Sequence, residues 1–182
     1  MNVDLIVVND FYIDPDNVRN FALSNDFTDK GNFPGVRTHT FFTDDVRQAI
    51  EYNMLFAGKI TDTFEDDKRT GAFQLTTSYD RSWIDSDPRS MWTGICFLTP
   101  HAPVSSGIGF YKHLDSSVSR KRDNNHSGYD YTKWALTDKI SNQYNRLVIY
   151  RSDLYHADLD HFGDNFETGN LFQTFFFNTE KY

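Results

Sequence analysis

The sequence is poor in cysteine and in basic residues, and it lacks a long hydrophobic run. Its single cysteine, Cys96, excludes an intrachain disulfide and a zinc site made of cysteines. Lys and Arg number 18 against 26 Asp and Glu, which gives a formal net charge of −8. Nucleic-acid-binding surfaces usually carry the opposite sign, so we expect no nucleic-acid partner.

The N-terminal segment lacks the features of an export signal. No basic side chain precedes the first apolar run, Leu5 to Val8, and that run is far too short to cross a bilayer. A single cysteine is also compatible with a reducing compartment. These features predict a cytoplasmic protein without membrane contact.

Aromatic residues, in contrast, are abundant, with 17 Phe, 10 Tyr and 3 Trp among 182 residues. Aromatic side chains favour strands, which predicts a mostly β protein. No Pro-, Gly- or Ser-rich linker divides the chain. We therefore expect a single domain over residues 1–182, with most of the aromatic side chains in its core.

Two helices are expected at the N-terminal end of the chain. Asp14 is a good N-cap and Pro15 suits the first helical position, which predicts a helix over about residues 14–24. Thr43 caps a second helix, and Gly58 is a natural stop for it.

Strands are predicted wherever apolar residues alternate or run together. These segments are residues 5–8, 73–79, 92–98, 107–111, 146–150 and 171–177. A long polar loop is expected over residues 116–131, followed by a short helix over residues 134–140. This order predicts an α+β, mostly β fold. Its expected form is a double-stranded β-helix, the cupin-like jelly roll, with the N-terminal helices packed on one sheet.

Several widespread catalytic motifs are absent. Gly107-Ile108-Gly109 lacks the third glycine of a dinucleotide-binding motif, and no phosphate-binding loop of the Gly-Lys-Ser/Thr type occurs. No Gly-x-Ser-x-Gly elbow is present either. Nucleotide-binding folds and serine hydrolases are therefore disfavoured, and metal chemistry remains.

Asp85-Ser86-Asp87 is the first candidate for metal chemistry. In an extended segment the side chains of Asp85 and Asp87 point to the same side, and a pair of carboxylates suits a cation. The same residues before Pro88 also suit an ordinary Asx turn. From this segment alone both interpretations stay open.

Six segments follow one another in an order that is typical of one protein family. They are Phe33-Pro34-Gly35-Val36-Arg37-Thr38, Asp85-Ser86-Asp87, an apolar stretch from Trp92 to Leu98-Thr99-Pro100, Ser106-Gly107-Ile108-Gly109, Leu154-Tyr155-His156 and Gly169-Asn170-Leu171-Phe172-Gln173. This order resembles the Fe(II)/2-oxoglutarate dioxygenases, specifically their small prolyl 4-hydroxylase-like members from marine bacteria and phages. The resemblance implies an oxygenase that hydroxylates a peptide, amino-acid or small-molecule substrate.

The resemblance also implies a set of metal ligands. In that family two imidazoles and one carboxylate hold Fe(II) on one face. Asp87 matches the position of the carboxylate, His156 matches the distal histidine, and Asp85 stands where the first histidine is expected. A carboxylate in place of an imidazole shifts the preference toward harder ions such as Mn²⁺ or Mg²⁺.

A 2-oxoglutarate site is implied in the same way. Asn170 stands where the family has an arginine that grips the distal carboxylate, and an amide makes weaker hydrogen bonds than a bidentate guanidinium. Arg146 is a candidate for the missing positive charge, and Tyr79 is a candidate lining residue. The substitutions at Asp85 and Asn170 leave two functions open: an oxygenase with an impaired metal site, and a catalytically inactive binding module on the same fold.

A rival set of metal ligands has the expected residue types. His113-Leu114-Asp115 is a His-x-Asp sequence, and His161 follows it later in the chain. This sequence comes after the glycine-rich turn, whereas the family has its motif before the tryptophan-bearing strand. We therefore keep His113, Asp115 and His161 as the alternative metal site.

Overall fold

The computed structural model describes residues 3–63, 69–87, 89–115 and 128–180. Within these residues the elements are, in chain order, β1 (Leu5–Val8), α1 (Pro15–Leu23), β2 (Val36–Thr40), α2 (Asp44–Asn53), β3 (Lys59–Asp62), β4 (Ala72–Thr76), β5 (Trp92–Phe97), β6 (Gly107–His113), β7 (Trp134–Ser141), β8 (Leu147–Arg151), β9 (His156–Asp158) and β10 (Asn170–Glu180). A single 3₁₀ turn, Tyr131–Lys133, leads into β7.

Two antiparallel sheets pack against each other. The larger sheet has the strand order β1-β8-β5-β10-β4-β2, and β3 pairs with the end of β10. The smaller sheet has the order β7-β6-β9. Ile95 and Tyr150 of the larger sheet share an apolar cluster with Ile108 and Phe110 of the smaller one. The expected mostly β, jelly-roll fold is confirmed.

The opposite face of the larger sheet carries the two helices. Ala22 of α1 and Ile50 of α2 belong to one buried cluster with Phe175 and Phe177 of β10. Burying such side chains stabilises the fold because each removes a large apolar surface from water. The N-terminal helices therefore pack on one sheet, as the sequence predicts.

Both helices begin where the sequence predicts. Asp14 Oδ1 accepts a hydrogen bond from Asn17 N at 3.0 Å, and Thr43 Oγ1 accepts one from Val46 N at 3.4 Å. The second helix ends at Asn53, earlier than predicted. Met54 is its C-cap and has a non-helical backbone conformation. No helix among the described residues is both long and apolar enough to span a bilayer.

The helix predicted over residues 134–140 is wrong, because this segment is strand β7. It pairs with β6 along its whole length, from Gly107 opposite Ser141 to His113 opposite Trp134. Pairing with a buried neighbour has overridden the local preference of the segment. Residues 116–127 of the predicted long loop lie outside the described residues.

Phe175 and Phe176 are neighbours on β10, and their side chains point to opposite faces of the sheet. Substituting each one tests which face is packed in the core. Phe175 is fully buried in the cluster beneath the helices, whereas Phe176 is half-buried on the other face. We expect Phe175→Ala to lower the free energy of unfolding by about 3–5 kcal/mol because it leaves a cavity in the core. Phe176→Ala should cost clearly less. Urea denaturation of both variants measures the difference, and equal losses would contradict this division of the strand.

Cys96 lies fully buried on β5, and burial raises the pKa of its thiol. The thiolate is the reactive form of cysteine, so both exposure and ionisation are unfavourable in the folded protein. We expect a thiol reagent such as DTNB to leave Cys96 unmodified in buffer and to modify it in denaturant. Absorbance of the released thionitrobenzoate measures the reaction, and rapid release from the folded protein would contradict the prediction.

Candidate functional site

A cavity of about 380 Å³ opens between the two sheets. Its walls come from β2 and the loop before it, from residues 82–87 and Arg89, and from strands β4, β5, β8, β9 and β10. Charged side chains of both signs line it together with aromatic rings. A concave site with a few convergent polar groups is the usual form of a small-molecule site.

Backbone pairing brings Asp85 and His156 together at this cavity. Asp85 N donates to His156 O at 3.0 Å, and His156 N donates to Asp85 O at 2.9 Å. The segment around Asp85 thereby extends the smaller sheet beyond β9. Both side chains line the cavity.

The imidazole of His156 has a defined tautomer. Its Nδ1 lies 2.9 Å from the carbonyl oxygen of Leu154, which only accepts hydrogen bonds, so Nδ1 carries the proton. Burial lowers the pKa of His156, which keeps the ring neutral near pH 7. A neutral imidazole with Nδ1 bound to a carbonyl leaves Nε2 as an acceptor, the arrangement common among metal-ligating histidines.

Asp87 is paired with two arginines. Arg89 approaches in a bidentate manner, with Nε 2.9 Å from Oδ1 and Nη2 2.7 Å from Oδ2, while Arg69 Nη1 lies 3.2 Å from Oδ2. Asp87 N also donates to Ser152 O at 2.8 Å, which ties the segment to the end of β8. Both oxygens of the carboxylate that the resemblance assigns to the metal therefore accept hydrogen bonds from guanidinium groups.

The donor set does not fit Fe(II) as the structure places it. Within the described ranges no three His, Cys, Asp or Glu side chains form a group that could hold a metal ion. Asp85 Oδ1 accepts a hydrogen bond from Ser86 N at 2.8 Å, and Asp87 is bound by its arginines. A facial Fe(II) site also needs two imidazoles, and His156 supplies one.

The predicted cofactor residues do not line the cavity. Asn170 is buried, and its Oδ1 accepts a hydrogen bond from Asn142 Nδ2 at 2.9 Å. Arg146 donates to Asn9 Oδ1 at 2.8 Å, outside the cavity. Tyr79 is 80% exposed. None of the three is therefore positioned to contact a ligand there.

The alternative metal residues also lie apart from the cavity. His113 is buried on β6, where its ring meets Trp134 edge to face at a centroid distance of 5.0 Å. Asp115 is exposed, and His161 Nε2 lies 2.8 Å from Ser82 Oγ. The described part of the chain does not bring these side chains into one metal-binding group.

Four charged residues of the cavity are missing from the sequence candidates: Arg37, Arg69, Arg89 and Asp158. Arg37 is 7% exposed, and burial lowers its pKa to about 10. Asp158 lies on β9, and burial raises the pKa of its carboxyl group. The loop Phe33-Pro34-Gly35-Val36-Arg37-Thr38 is the sequence signal that points to Arg37. No comparable signal marks Asp158.

Tyr150 of β8 completes the polar wall of the cavity. It is fully buried, and burial raises the pKa of its hydroxyl group well above the ordinary value. The phenol therefore keeps its proton over the whole physiological range. It can donate a hydrogen bond to an acceptor in the cavity.

Comparison with known proteins gives a match at the level of the fold. No protein-family model and no curated protein matches the sequence. HygX from Streptomyces hygroscopicus, solved with nickel and 2-oxoglutarate bound, is 9% identical with a TM-score of 0.57, covering 94% of this chain and 81% of that chain. A prolyl hydroxylase from Trichoplax adhaerens, in complex with a hypoxia inducible factor peptide fragment, is 12% identical with a TM-score of 0.53, covering 96% and 83%.

A third similar structure is the Fe(II)/(alpha)ketoglutarate-dependent dioxygenase TqaL. It is 12% identical with a TM-score of 0.51, and the match covers 98% of this chain and 84% of that chain. At such low identities these similarities show a shared fold. The chain therefore has the jelly-roll fold of 2-oxoglutarate-dependent oxygenases.

The lowered pKa of His156 predicts a pH dependence of stability. The unfolded chain takes up a proton near pH 6.5, whereas the folded protein resists protonation of this ring. Stability that is present above this pH is therefore lost as the pH falls below it, by at most about 1.4 kcal/mol per pH unit. The raised pKa of Asp158 acts in the opposite sense, so a comparison with His156→Gln is needed to isolate the histidine.

Urea denaturation between about pH 7.5 and about pH 5.5 measures this effect. We expect the free energy of unfolding to fall more steeply in the unmodified protein than in His156→Gln. The exposed His39 of β2 supplies the control variant His39→Gln. Parallel curves for the unmodified protein and His156→Gln would contradict the prediction.

Proposed function

We propose that this protein uses the jelly-roll fold of 2-oxoglutarate oxygenases to bind a small ligand in its cavity, without turnover at an iron centre. The observation that carries the proposal is the pairing of Asp87 with Arg69 and Arg89. This pairing occupies the carboxylate that the resemblance assigns to the metal. Asp85 stands where the resemblance implies a histidine, so a second element of the iron site is absent at this position.

The cavity supplies what a ligand site needs. Its volume of about 380 Å³ lies within the usual range of small-molecule sites. Arg37 and Tyr150 are hydrogen-bond donors on its wall, and Asp158 is an acceptor. The rings of Phe33 and Phe172 add apolar surface that excludes water from the polar groups.

Metal-dependent oxygenation with 2-oxoglutarate is the second candidate function. The specific observation in its favour is the direct pairing of Asp85 with His156, together with a neutral His156 whose Nδ1 is bound to a backbone carbonyl. In this case Asp87 would have to exchange its arginines for the ion. Two carboxylates and one imidazole would favour Mn²⁺ or Mg²⁺ over Fe(II). The substrate would then be a peptide, an amino acid or a small molecule.

Release of succinate from 2-oxoglutarate distinguishes the two functions. We expect the purified protein with Fe(II), ascorbate and 2-oxoglutarate to form no more succinate than a protein-free reaction, because the donor set is incomplete. The measurement is succinate by NMR, with the same assay repeated in Mn²⁺ and Mg²⁺. Sustained succinate release in any of these ions would contradict the first proposal and support the second.

Restoring the donor set should restore metal binding. We expect Asp85→His combined with Arg89→Ala to raise the affinity for Fe(II) at least about tenfold over that of the unmodified protein, since it adds an imidazole and weakens the hold on Asp87. Calorimetric titration with Fe(II) under anaerobic conditions measures the change. Asp85→His combined with Arg81→Ala is the matched control, because Arg81 is exposed and does not line the cavity. Equal affinities in both double variants would show that the ion pair with Arg89 does not control the site.

A further inference from the structure

The loop that leads into β2 brings a buried arginine into the cavity. Gly35 has a positive φ of 72°, and a Cβ atom there would lie 2.0 Å from the Leu75 carbonyl oxygen, so the loop lies directly against β4. Gln74 Nε2 donates to Pro34 O at 2.7 Å and holds the loop in place. Arg37 follows immediately and turns its buried side chain to the cavity.

The Arg37 guanidinium is held on one edge and one face. Its Nε donates to Gln74 Oε1 at 2.8 Å, and Cζ lies 3.9 Å from the centroid of the Phe33 ring. Among the described residues, the bond to Gln74 is the one hydrogen bond that this guanidinium makes. Nη1 and Nη2 are not enclosed by the protein and remain accessible at the cavity. Nη1 and Nη2 therefore form a pair of donors suited to an anion in the cavity.

Asp158 adds the opposite charge to the same cavity. No donor to its carboxyl group and no ion pair of this residue occur within the described ranges. Arg69 and Arg89, the other arginines of the cavity, are bound to Asp87. Arg37 and Asp158 influence each other electrostatically across the cavity, but they do not form a direct ion pair.

We propose that the cavity binds a free amino acid, with its carboxylate on Arg37 and its ammonium group on Asp158. A carboxylate matches the two outer nitrogens of a guanidinium through parallel hydrogen bonds. An ammonium group offers three donors to a carboxyl group. Neither a simple dicarboxylate nor a simple amine satisfies both residues. This inference rests on the proposed function, because both require a ligand in this cavity.

The remaining walls suit the side chain of such a ligand. Ile95, Phe172 and Phe176 contribute apolar surface, and the Tyr150 hydroxyl adds one donor. The cavity volume of about 380 Å³ is large enough for a small molecule of this class. The apolar surface also lowers the local dielectric constant, which strengthens the interactions at both charged ends of the ligand.

Calorimetric titration of the full-length protein with each of the twenty standard L-amino acids tests the proposal. We expect at least one of them to bind. Its methyl ester, which lacks the carboxylate, and its N-acetyl derivative, which lacks the ammonium group, should each bind at least about tenfold more weakly. The proposal would be overturned if none of the twenty amino acids binds, or if both derivatives bind as tightly as the parent amino acid.

Variants at both ends of the site provide the second test. We expect Arg37→Gln and Asp158→Asn each to weaken binding of that amino acid at least about tenfold. Arg81→Gln removes the same charge from an exposed position next to residues 82–89 and should leave the affinity unchanged. Circular dichroism verifies the fold of each variant. If Arg37→Gln does not fold, Asp158→Asn and the two derivatives still decide the outcome, and unchanged affinity in a folded variant would overturn the proposal.

The succinate assay separates this inference from the proposed function. If an amino acid binds in a manner that depends on Arg37 and succinate is also released, the amino-acid site is supported. The proposed function, which is ligand binding without turnover, is then overturned. Absence of both amino-acid binding and succinate release would overturn the present site alone.

Discussion

Hydrogen bonds from strand β10 to three other strands hold the larger sheet together. Strand β10 pairs with β5 on one side and β4 on the other, and β3 pairs with its end. Because side chains alternate along a strand, Phe175 and Phe177 face the helices while Phe172 and Phe176 face the cavity. One strand therefore forms both the apolar layer beneath the helices and a wall of the candidate site. A shift of its register by one residue would exchange the two faces.

The chemistry of the cavity depends on which charges find a partner within the chain. Asp87 accepts hydrogen bonds from Arg69 and Arg89, so these three charges largely satisfy one another. Arg37 and Asp158 are left with displaced pKa values, lowered for the guanidinium and raised for the carboxyl group, mainly because burial disfavours their charged forms. The same fold that in TqaL belongs to an Fe(II)/(alpha)ketoglutarate-dependent dioxygenase here carries a site dominated by arginine and carboxylate groups.

Strands β4, β5 and β8 could be predicted because they are buried along almost their whole length and consist mainly of apolar residues. Strand β5, Trp92–Phe97, is the clearest case, since every residue in it is buried. Strand β7 escapes prediction because half of its residues are exposed and no alternation marks it, so its conformation depends on pairing with β6. Strand β9, His156–Asp158, has three residues and is too short for any periodic signal.

Sequence patterns were enough to predict the jelly-roll class, the helix starts at Asp14 and Thr43, and the segments that border the cavity. Those features depend on local patterns, namely apolar runs, caps and short motifs. The three-dimensional arrangement was needed to show that Asp87 pairs with Arg69 and Arg89 and that Arg37 is buried in the cavity while Asn170 lies outside it. The contacts of Arg37 with Gln74 and of Arg69 with Asp87 join residues 37 and 18 positions apart, and no local pattern encodes such contacts.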